Sequence, residues 1–362
     1  MKRFFPLTLV SVLLLSACFK PYTPSPTPIS TDTPSSTEIS MPPLPTPSPE
    51  STSTPISSPT LHRGVNFGNM LEAPNEGDWG LTVKEEYFDL VKEAGFDFVR
   101  LPVRWNSHAE VEYPYTIDPA FFARIDEIIS WSLERNITII VDFHHYQEMM
   151  THPWGNKARY LGIWKQVAEH YKDYPPNVLF ELLNEPNTKL DAQLWNQYLT
   201  EALAVVRESN PTRDVVIGPV SWNAYDWLST LDVPDDDHLI VTFHYYLPFQ
   251  FTHQGAEWIG DESQKWLGTE WGSDADKAEI TSHFDTVADW SKRHGDVRIL
   301  LGEFSAYSKA PQDSRVRWTM FVREQAESHG FAWAYWELAS GFGVYDPDAK
   351  AWREDLLGAL IP

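Results

Sequence analysis

The amino-acid sequence predicts a (β/α)8 TIM barrel, an α/β fold in which eight parallel strands close into a cylinder surrounded by helices. Three observations support this prediction. Short apolar runs alternate with longer amphipathic segments roughly eight times between residues 61 and 362. Several short runs are apolar at every position, as expected of parallel strands buried on both faces. The segment also has the size of one barrel, which commonly needs about 250 residues.

The candidate strands are runs rich in β-branched and aromatic residues. Residues 139–141 (Ile-Ile-Val) and 239–241 (Leu-Ile-Val) show the continuous apolar character most clearly. In chain order the eight predicted strands cover residues 64–67, 98–101, 138–143, 178–182, 215–218, 239–243, 298–301 and 331–336.

Amphipathic segments between these runs are the predicted helices. The segment 120–134 has apolar residues every three or four positions, and it follows Asp118 and Pro119, a favourable helix start. Segments 83–94, 191–209 and 312–329 show the same periodicity. An open nucleotide-binding sheet would instead need a glycine-rich phosphate loop, and the early run Gly-Val-Asn-Phe-Gly-Asn lacks the required glycine spacing.

The N-terminal segment is predicted to lie outside the barrel. Lys2 and Arg3 precede a short apolar run, which is typical of a signal peptide and too short to span a bilayer. The run ends in Leu-Ser-Ala-Cys, which resembles the lipobox of bacterial lipoproteins, and Cys18 is the sole cysteine. We therefore predict a signal peptide over 1–17 and a lipid anchor at Cys18, with an ordinary signal peptide as the alternative. Residues 18–60 are rich in Pro, Ser and Thr and are predicted to form a disordered, semi-extended tether.

Net charge and amino-acid composition limit the classes of partner that the protein is expected to bind. The formal net charge is −23, and it belongs to the barrel domain because the signal and tether carry equal numbers of basic and acidic residues. A strongly acidic surface disfavours nucleic acids and anionic membranes as partners. With the predicted signal peptide, we expect an exported protein, a monomer, that meets a membrane only through its lipid anchor. Sixteen tryptophans are present, and aromatic faces can stack on sugar rings, although most of these side chains are expected in the core.

Polar side chains repeatedly follow the predicted strands, at the end of the barrel where catalytic residues gather. Each one alone is weak evidence, because strand-end polar residues are often solvated or paired for structural reasons. Their co-occurrence at one end of the barrel predicts a site. In chain order these residues are Asn69, Glu72, Arg100, His144, His145, Asn184, Glu185, His244, Tyr246, Glu303 and Trp336.

Two of these residues suit one reaction in particular. Glu185 and Glu303 follow the fourth and seventh strands, which face each other across a barrel mouth. Cleavage of a glycosidic bond needs one acid to protonate the leaving oxygen and one carboxylate to meet the developing positive charge. Carboxyl groups about 5–5.5 Å apart would make the reaction retaining, and a separation of about 6.5–9.5 Å would make it inverting. The residues alone leave this choice open.

A metal site is the competing interpretation of the histidines. His144 and His145 lie close in sequence to Asp142 and His152. Alternate strand residues point to opposite faces, so Asp142 and His144 would share a side without His145. No third ligand follows at a short, regular spacing. We therefore predict neither a metal nor another cofactor.

The assembled residues resemble glycoside hydrolase family 5, the retaining cellulase and mannanase family, over essentially all of residues 61–362. The Asn-Glu-Pro triplet that contains Glu185 is the most specific single element. Longer stretches, 64–74, 251–258 and 333–346, are similar to thermophile-type endoglucanases of this family that also take mannans. The ordered set that carries the resemblance is Arg100, His144, Asn184-Glu185, His244-x-Tyr246, Glu303 and Trp336.

The resemblance implies a role for each of these residues. Glu185 would be the acid/base and Glu303 the nucleophile. Tyr246 and Arg100 would orient Glu303 and keep it ionised, and His244 would lie near Glu185 and tune it.

Substrate contacts are implied in the same way. Asn184 would bind the 2-hydroxyl of the sugar at the cleavage point, and Trp336 would form the platform beneath that sugar. The residues expected to line the remaining cleft are Asn69, Glu72, His144, His145 and Trp258.

The implied activity is a retaining endo-β-1,4-glucanase on cellulose and other β-glucans, extending to mannan, lichenan or xyloglucan. A dedicated β-mannanase is the alternative within the same chemistry, since glucose and mannose differ at C2. A non-catalytic, surface glycan-binding lipoprotein is the alternative from another class, disfavoured because both carboxylates are present.

Overall fold

A computed structural model describes residues 58–362. Eight parallel strands form one closed barrel, in which each strand pairs with its neighbours in the chain and the last pairs with the first. The predicted (β/α)8 fold is confirmed. The strands are β1 (Arg63–Asn66), β2 (Phe98–Val103), β3 (Thr138–Phe143), β4 (Val178–Glu181), β5 (Val215–Ile217), β6 (Leu239–Tyr245), β7 (Arg298–Phe304) and β8 (Ala332–Tyr335), with an outlying antiparallel pair, β9 (Tyr345–Asp346) and β10 (Ala351–Trp352).

Helices surround the barrel, and several begin or end at clear local signals. Asp118 accepts a hydrogen bond from the backbone N–H of Ala120 at the start of α2, and Ser273 and Asp276 cap α9 reciprocally. Gly95 ends α1 with a left-handed φ of 100°. The helices are α1 (Glu85–Ala94), α2 (Pro119–Glu134), α3 (Gln147–Thr151), α4 (Pro153–His170), α5 (Ala192–Arg207), α6 (Val220–Asn223), α7 (Phe249–Thr252), α8 (Asp261–Gln264), α9 (Asp274–Arg293), α10 (Gln312–Ser328) and α11 (Glu354–Leu360).

Apolar packing forms two clusters. The larger cluster lies between the strands and the helices and contains the fully buried Trp164, Trp195 and Trp318. The smaller one fills the lower end of the barrel interior, and Leu61 packs against it. Its members are Phe98, Ile140, Leu179, Val216, Ile240, Leu300, Ala332 and Ala334. The lower end is therefore plugged by apolar side chains.

The strand bounds differ from the prediction mainly at the upper, C-terminal ends. β6 and β7 run on to Tyr245 and Phe304, beyond the predicted ends at residues 243 and 301. His244 and Glu303 therefore lie within strands and not in the loops after them, which fixes their backbone by ladder hydrogen bonds. No helix in the described part of the chain is both long and apolar enough to cross a membrane. The predicted signal peptide, the Cys18 anchor and nearly all of the tether lie outside the described residues.

Candidate active site

Glu185 and Glu303 face each other across the upper mouth of the barrel. One oxygen of each carboxylate and one ring nitrogen of His244 all lie within 4.8 Å of one another. His244 Nδ1 is 2.9 Å from Glu185 Oε1 and 3.6 Å from Glu303 Oε2. This spacing suits a retaining pair and is too short for the water that inversion places between the carboxylates.

Both oxygens of Glu303 are held by donors. Arg100 Nη1 donates to Oε1 at 2.8 Å, and the Tyr246 hydroxyl donates to Oε2 at 2.8 Å. The side chain is almost fully buried, and burial raises its pKa to about 6, while His244, Arg100 and the Tyr246 hydrogen bond act in the opposite direction. These contacts orient the carboxylate and favour its ionised form.

Glu185 lies in a different environment from its partner. Its side chain is 25% exposed at the cleft, and its backbone has a left-handed φ of 49°, which is uncommon for residues other than glycine. Burial of the carboxyl raises its pKa to about 7, and the negative charge of Glu181 adds to the increase. Glu185 therefore keeps its proton to higher pH than Glu303, the order that an acid and a nucleophile require.

A β-bulge brings His244 beside this pair. The pairing of β6 with β7 shifts by one residue just before His244, so His244 pairs with Glu303 and Gly302 is the extra residue. A Cβ atom on Gly302 would lie 2.4 Å from Thr242 Oγ1 and 3.0 Å from His244 Nε2. Glycine therefore makes room for the imidazole, whose burial lowers its pKa to about 4.

Arg100 is the cation at the centre of the site. Its guanidinium is fully buried and donates to Glu181 through Nε at 2.6 Å and Nη2 at 2.8 Å. Nη2 also donates to Asn184 Oδ1 at 2.8 Å, and Nη1 donates to Asn66 Oδ1 at 2.9 Å in addition to Glu303. The guanidinium thus connects the nucleophile candidate to Asn66 on β1, to Glu181 on β4 and to Asn184 in the loop after β4.

Asp142 and His144 form a second buried pair. Asp142 Oδ2 lies 3.0 Å from Arg100 Nη2 and 2.5 Å from His144 Nδ1. Burial raises the pKa of Asp142 to about 7 and holds that of His144 well below its usual value, so the imidazole is neutral. His144 Nε2 is 3.2 Å from Asn184 Nδ2, and the ring stacks on Trp336 with centroids 5.7 Å apart.

Asn69 reaches the cleft from the loop after β1, supported by two buried acids. The Glu72 carboxylate is fully buried and accepts hydrogen bonds from the backbone N–H groups of Asn69 and Met70. Glu337 Oε2 accepts from Asn69 Nδ2 at 2.6 Å. Burial raises the pKa of Glu72 to about 8 and that of Glu337 to about 7. Asn69 lines the cleft, and Glu72 lies behind it.

Aromatic side chains line the same cleft as the two carboxylates. Trp258 is 59% exposed, and Trp79 packs edge-to-face on His145 with centroids 5.6 Å apart. Trp222 is 56% exposed and lies in the turn α6, where residues 221–223 all have left-handed φ values. The cleft is also lined by Tyr225, Trp227, Tyr246, Phe249, Tyr307 and Trp336. Such a surface suits stacking on sugar rings.

Several site residues were not predicted from the sequence. Glu181 interrupts an apolar run in the same way as Arg100, and Glu337 directly follows Trp336, so a signal for each was present. From the sequence, Asp142 enters only the metal interpretation, beside His144. The cleft tryptophans in the loops, Trp79, Trp222 and Trp227, have no signal that separates them from core tryptophans.

The geometry also bears on the metal interpretation. Within residues 58–362, the group whose side chains approach closely enough to hold an ion is Glu185, His244 and Glu303. It includes neither His145 nor His152. His144 is also outside that group, because its Nδ1 is hydrogen-bonded to Asp142 and its Nε2 faces the Asn184 amide at 3.2 Å.

Comparisons with known proteins match most of the chain to one family. The model of the family described as Cellulase (glycosyl hydrolase family 5) matches residues 60–341. Endoglucanase H of Acetivibrio thermocellus is 38% identical over 304 residues, which cover 82% of this chain and 32% of that relative. The chain therefore spans about a third of the length of that larger protein.

Solved structures give the same result at the level of the fold. The crystal structure of endoglucanase Cel5A from the hyperthermophilic Thermotoga maritima is 49% identical, with a TM-score of 0.82 and coverage of 83% of this chain and 97% of that one. Structures of the same protein in complex with cellobiose and with mannotriose, each 48% identical, match with TM-scores of 0.82 and 0.81.

Proposed function

Since the chain belongs to glycosyl hydrolase family 5, we propose that it is a retaining endo-β-1,4-glucanase that cuts cellulose-type chains, with Glu185 and Glu303 as its catalytic residues. The observation that carries the proposal is the approach of these two carboxylates to within 4.8 Å across the barrel mouth, in a cleft lined by tryptophans. The endoglucanase names of relatives from A. thermocellus and T. maritima support the substrate class.

In the first step, Glu303 attacks the anomeric carbon of the bound sugar, and the glycosidic C–O bond breaks. Glu185 gives its proton to the departing oxygen, so the shortened chain leaves as a neutral alcohol. The Glu303 oxygen that forms the ester gives up its negative charge, while Arg100 and Tyr246 hold the carboxylate in position during the attack.

In the second step, Glu185 is a carboxylate and takes a proton from water. The resulting hydroxide attacks the anomeric carbon from the face that the first leaving group vacated, and the bond to Glu303 breaks. Two inversions at one carbon restore the original β configuration, and both carboxyl groups return to their starting protonation states.

Mannan is the second substrate that we propose. The T. maritima Cel5A structures in complex with mannotriose and with cellobiose support it, because that protein is 48% identical over 83% of this chain. We place cellulose-type glucan first, because the named relatives are endoglucanases. A dedicated β-mannanase would reverse this order of rates.

The cellular location that we propose is outside the cytoplasm, with Cys18 as the lipid attachment point. The lipobox-like Leu-Ser-Ala-Cys sequence supports it. Labelled palmitate should be incorporated into the wild-type protein and not into Cys18→Ser. Incorporation into both proteins would remove this assignment.

The activity is tested with initial rates on carboxymethylcellulose, barley β-glucan and galactomannan. We expect the highest rate on a β-glucan, a measurable rate on galactomannan, and a β-anomer as the first product in proton NMR. A fast fall in viscosity relative to released reducing ends would identify endo cleavage. An α-anomer as first product, or hydrolysis that persists in a Glu185→Ala, Glu303→Ala double variant, would contradict the proposed mechanism.

A further inference from the structure

Asp142 does not line the cleft, yet it contacts two side chains that hold the buried Asn184 beside the cleft. It is fully buried in β3, with Oδ2 2.5 Å from His144 Nδ1 and 3.0 Å from Arg100 Nη2. Both His144 and Arg100 in turn contact the side-chain amide of Asn184, the residue before Glu185.

The donors of Arg100 are already used by other acceptors. A guanidinium has five N–H groups, and five contacts with other residues account for them. These contacts are the two Glu181 oxygens, Asn184 Oδ1, Asn66 Oδ1 and Glu303 Oε1. Asp142 therefore lies next to the positive charge of Arg100, but the group that donates a hydrogen bond to it is the His144 ring.

The orientation of the Asn184 amide fixes the position of the proton on His144. The oxygen must face the Arg100 cation, which it does at 2.8 Å, so the NH2 group faces His144 Nε2 at 3.2 Å. An NH2 group only donates, so Nε2 must be the unprotonated acceptor. The imidazole is neutral, and its proton is therefore on Nδ1, where Asp142 Oδ2 accepts it.

We propose that Asp142 is a positioning residue for hydrolysis, which acts by fixing the tautomer of His144 and through it the amide of Asn184. The inference rests on the proposed function and on the contact with the 2-hydroxyl of the sugar that the family resemblance implies for Asn184. Without an acceptor at position 142, the Nδ1 proton of His144 would face only the Arg100 cation. The proton would move to Nε2, and two donors would then meet at Asn184 and force its amide to turn.

Two substitutions distinguish the role of the oxygen that accepts the hydrogen bond from the role of the Asp142 side chain as a whole. Asp142→Ala removes the acceptor. Asp142→Asn keeps an oxygen, which the Arg100 cation holds towards His144. We expect Asp142→Ala to lower kcat by about 10- to 100-fold, the effect of one lost hydrogen bond to a charged group, with little change in KM. Asp142→Asn should retain kcat to within roughly threefold, because a neutral acceptor is weaker but still present.

The tautomer is measured directly by nitrogen-15 NMR of the histidine side chains in the full-length chain, with His144 assigned from the spectrum of His144→Gln. The wild type and Asp142→Asn should show a protonated Nδ1, and Asp142→Ala a protonated Nε2. A protonated Nδ1 in Asp142→Ala would overturn the inference. This spectrum does not depend on activity, so it can still be interpreted if wild-type protein fails to cut β-glucan and the proposed function falls.

A double-mutant cycle tests whether the effect passes through Asn184. In an Asn184→Ala background, Asp142→Ala should cost almost nothing further in kcat, and an unchanged cost would overturn the proposed route. Asp214→Ala is the matched control, because Asp214 is an equally buried acid at the lower end of the barrel. It should lower the melting temperature and leave kcat and the His144 signals unchanged.

Discussion

Both ends of the barrel bury carboxylates, but they pair them differently. At the lower end, Asp214 accepts from Arg298 Nη1 and Nη2 at 2.8 and 2.7 Å and from the Ser58 hydroxyl at 3.2 Å. One acid meets one cation there, next to an apolar plug. At the mouth, Arg100 lies within 3.0 Å of three carboxylates at once, which belong to Asp142, Glu181 and Glu303. Glu185 lies close by.

The two kinds of pairing have different consequences: pairing at the lower end stabilises the fold, and pairing at the mouth makes the carboxyl groups reactive. A buried carboxylate that forms an ion pair with its own cation joins two parts of the structure. At the mouth, burial raises the pKa values of Glu185, Glu303 and Asp142 to about 7, 6 and 7, and the negative charge of neighbouring carboxylates adds to each increase. The mouth therefore holds and exchanges protons near neutral pH.

The largest expected effect comes from removing the nucleophile. Glu303→Ala should lower kcat on β-glucan by on the order of 10⁵-fold, because no covalent intermediate can form. Sodium azide should partly restore cleavage of an aryl cellobioside, giving an α-glycosyl azide by direct attack. A β-glycosyl azide would instead assign Glu303 as the acid/base and reverse the two roles.

Arg100→Lys tests the shared cation at the mouth. Lysine keeps the charge, but its ammonium cannot serve Glu181, Asn184 and Glu303 together as the planar fork does. We expect kcat to fall by about 10²- to 10³-fold, and circular dichroism should show an intact fold. A kcat within threefold of wild type would mean that charge alone suffices.

Gly302→Ala tests the bulge between β6 and β7. The added methyl group would displace the His244 imidazole, whose Nε2 lies 3.0 Å from the new Cβ position. We expect roughly a 10- to 100-fold lower kcat and a loss of about 1–3 kcal/mol in the free energy of unfolding. Gly358, where a Cβ would meet nothing within 4 Å, is the matched control, and Gly358→Ala should leave kcat unchanged.

The pH dependence of kcat/KM is expected to be a smaller effect than the three substitutions above. The rate constant kcat/KM should rise as pH passes about 6, where Glu303 ionises, and fall as pH passes about 7, where Glu185 loses its proton. Glu181→Gln removes a negative charge that raises the pKa of Glu185, so its basic limb should move to lower pH. A basic limb that moves to higher pH would contradict the charge argument.

Asp214→Ala should have the smallest effect on rate. Its partner Arg298 is partly exposed and can regain water, so we expect a loss of about 2 kcal/mol in the free energy of unfolding. Thermal unfolding should show a melting temperature a few degrees lower, with kcat on β-glucan unchanged. A fall in kcat would show that the two ends of the barrel are coupled.

The sequence predicted the barrel well because alternating apolar runs and amphipathic segments are local signals. The same patterns placed Arg100, Glu185 and Glu303 at the strand ends. The carboxylate separation, the bulge at Gly302 and the pairing of Asp142 with His144 depend on contacts between strands. No local pattern encodes such contacts, so these features required the structure.

The sequence also did not predict the backbone conformation of the loops. Asn69, His145, Glu185 and Trp222 line the cleft with left-handed backbones, a conformation that is enriched for asparagine and histidine but uncommon for glutamate and tryptophan. The packing of the loops imposes these conformations. Trp222 could therefore not be separated beforehand from the tryptophans of the core.

The contact of Ser58 with Asp214 and the packing of Leu61 beneath the plug place the entry of the chain under the barrel, opposite the cleft. The attachment point of any N-terminal anchor would therefore lie on the face opposite the two carboxylates. Anchoring through this end would leave the barrel mouth open to a polysaccharide chain.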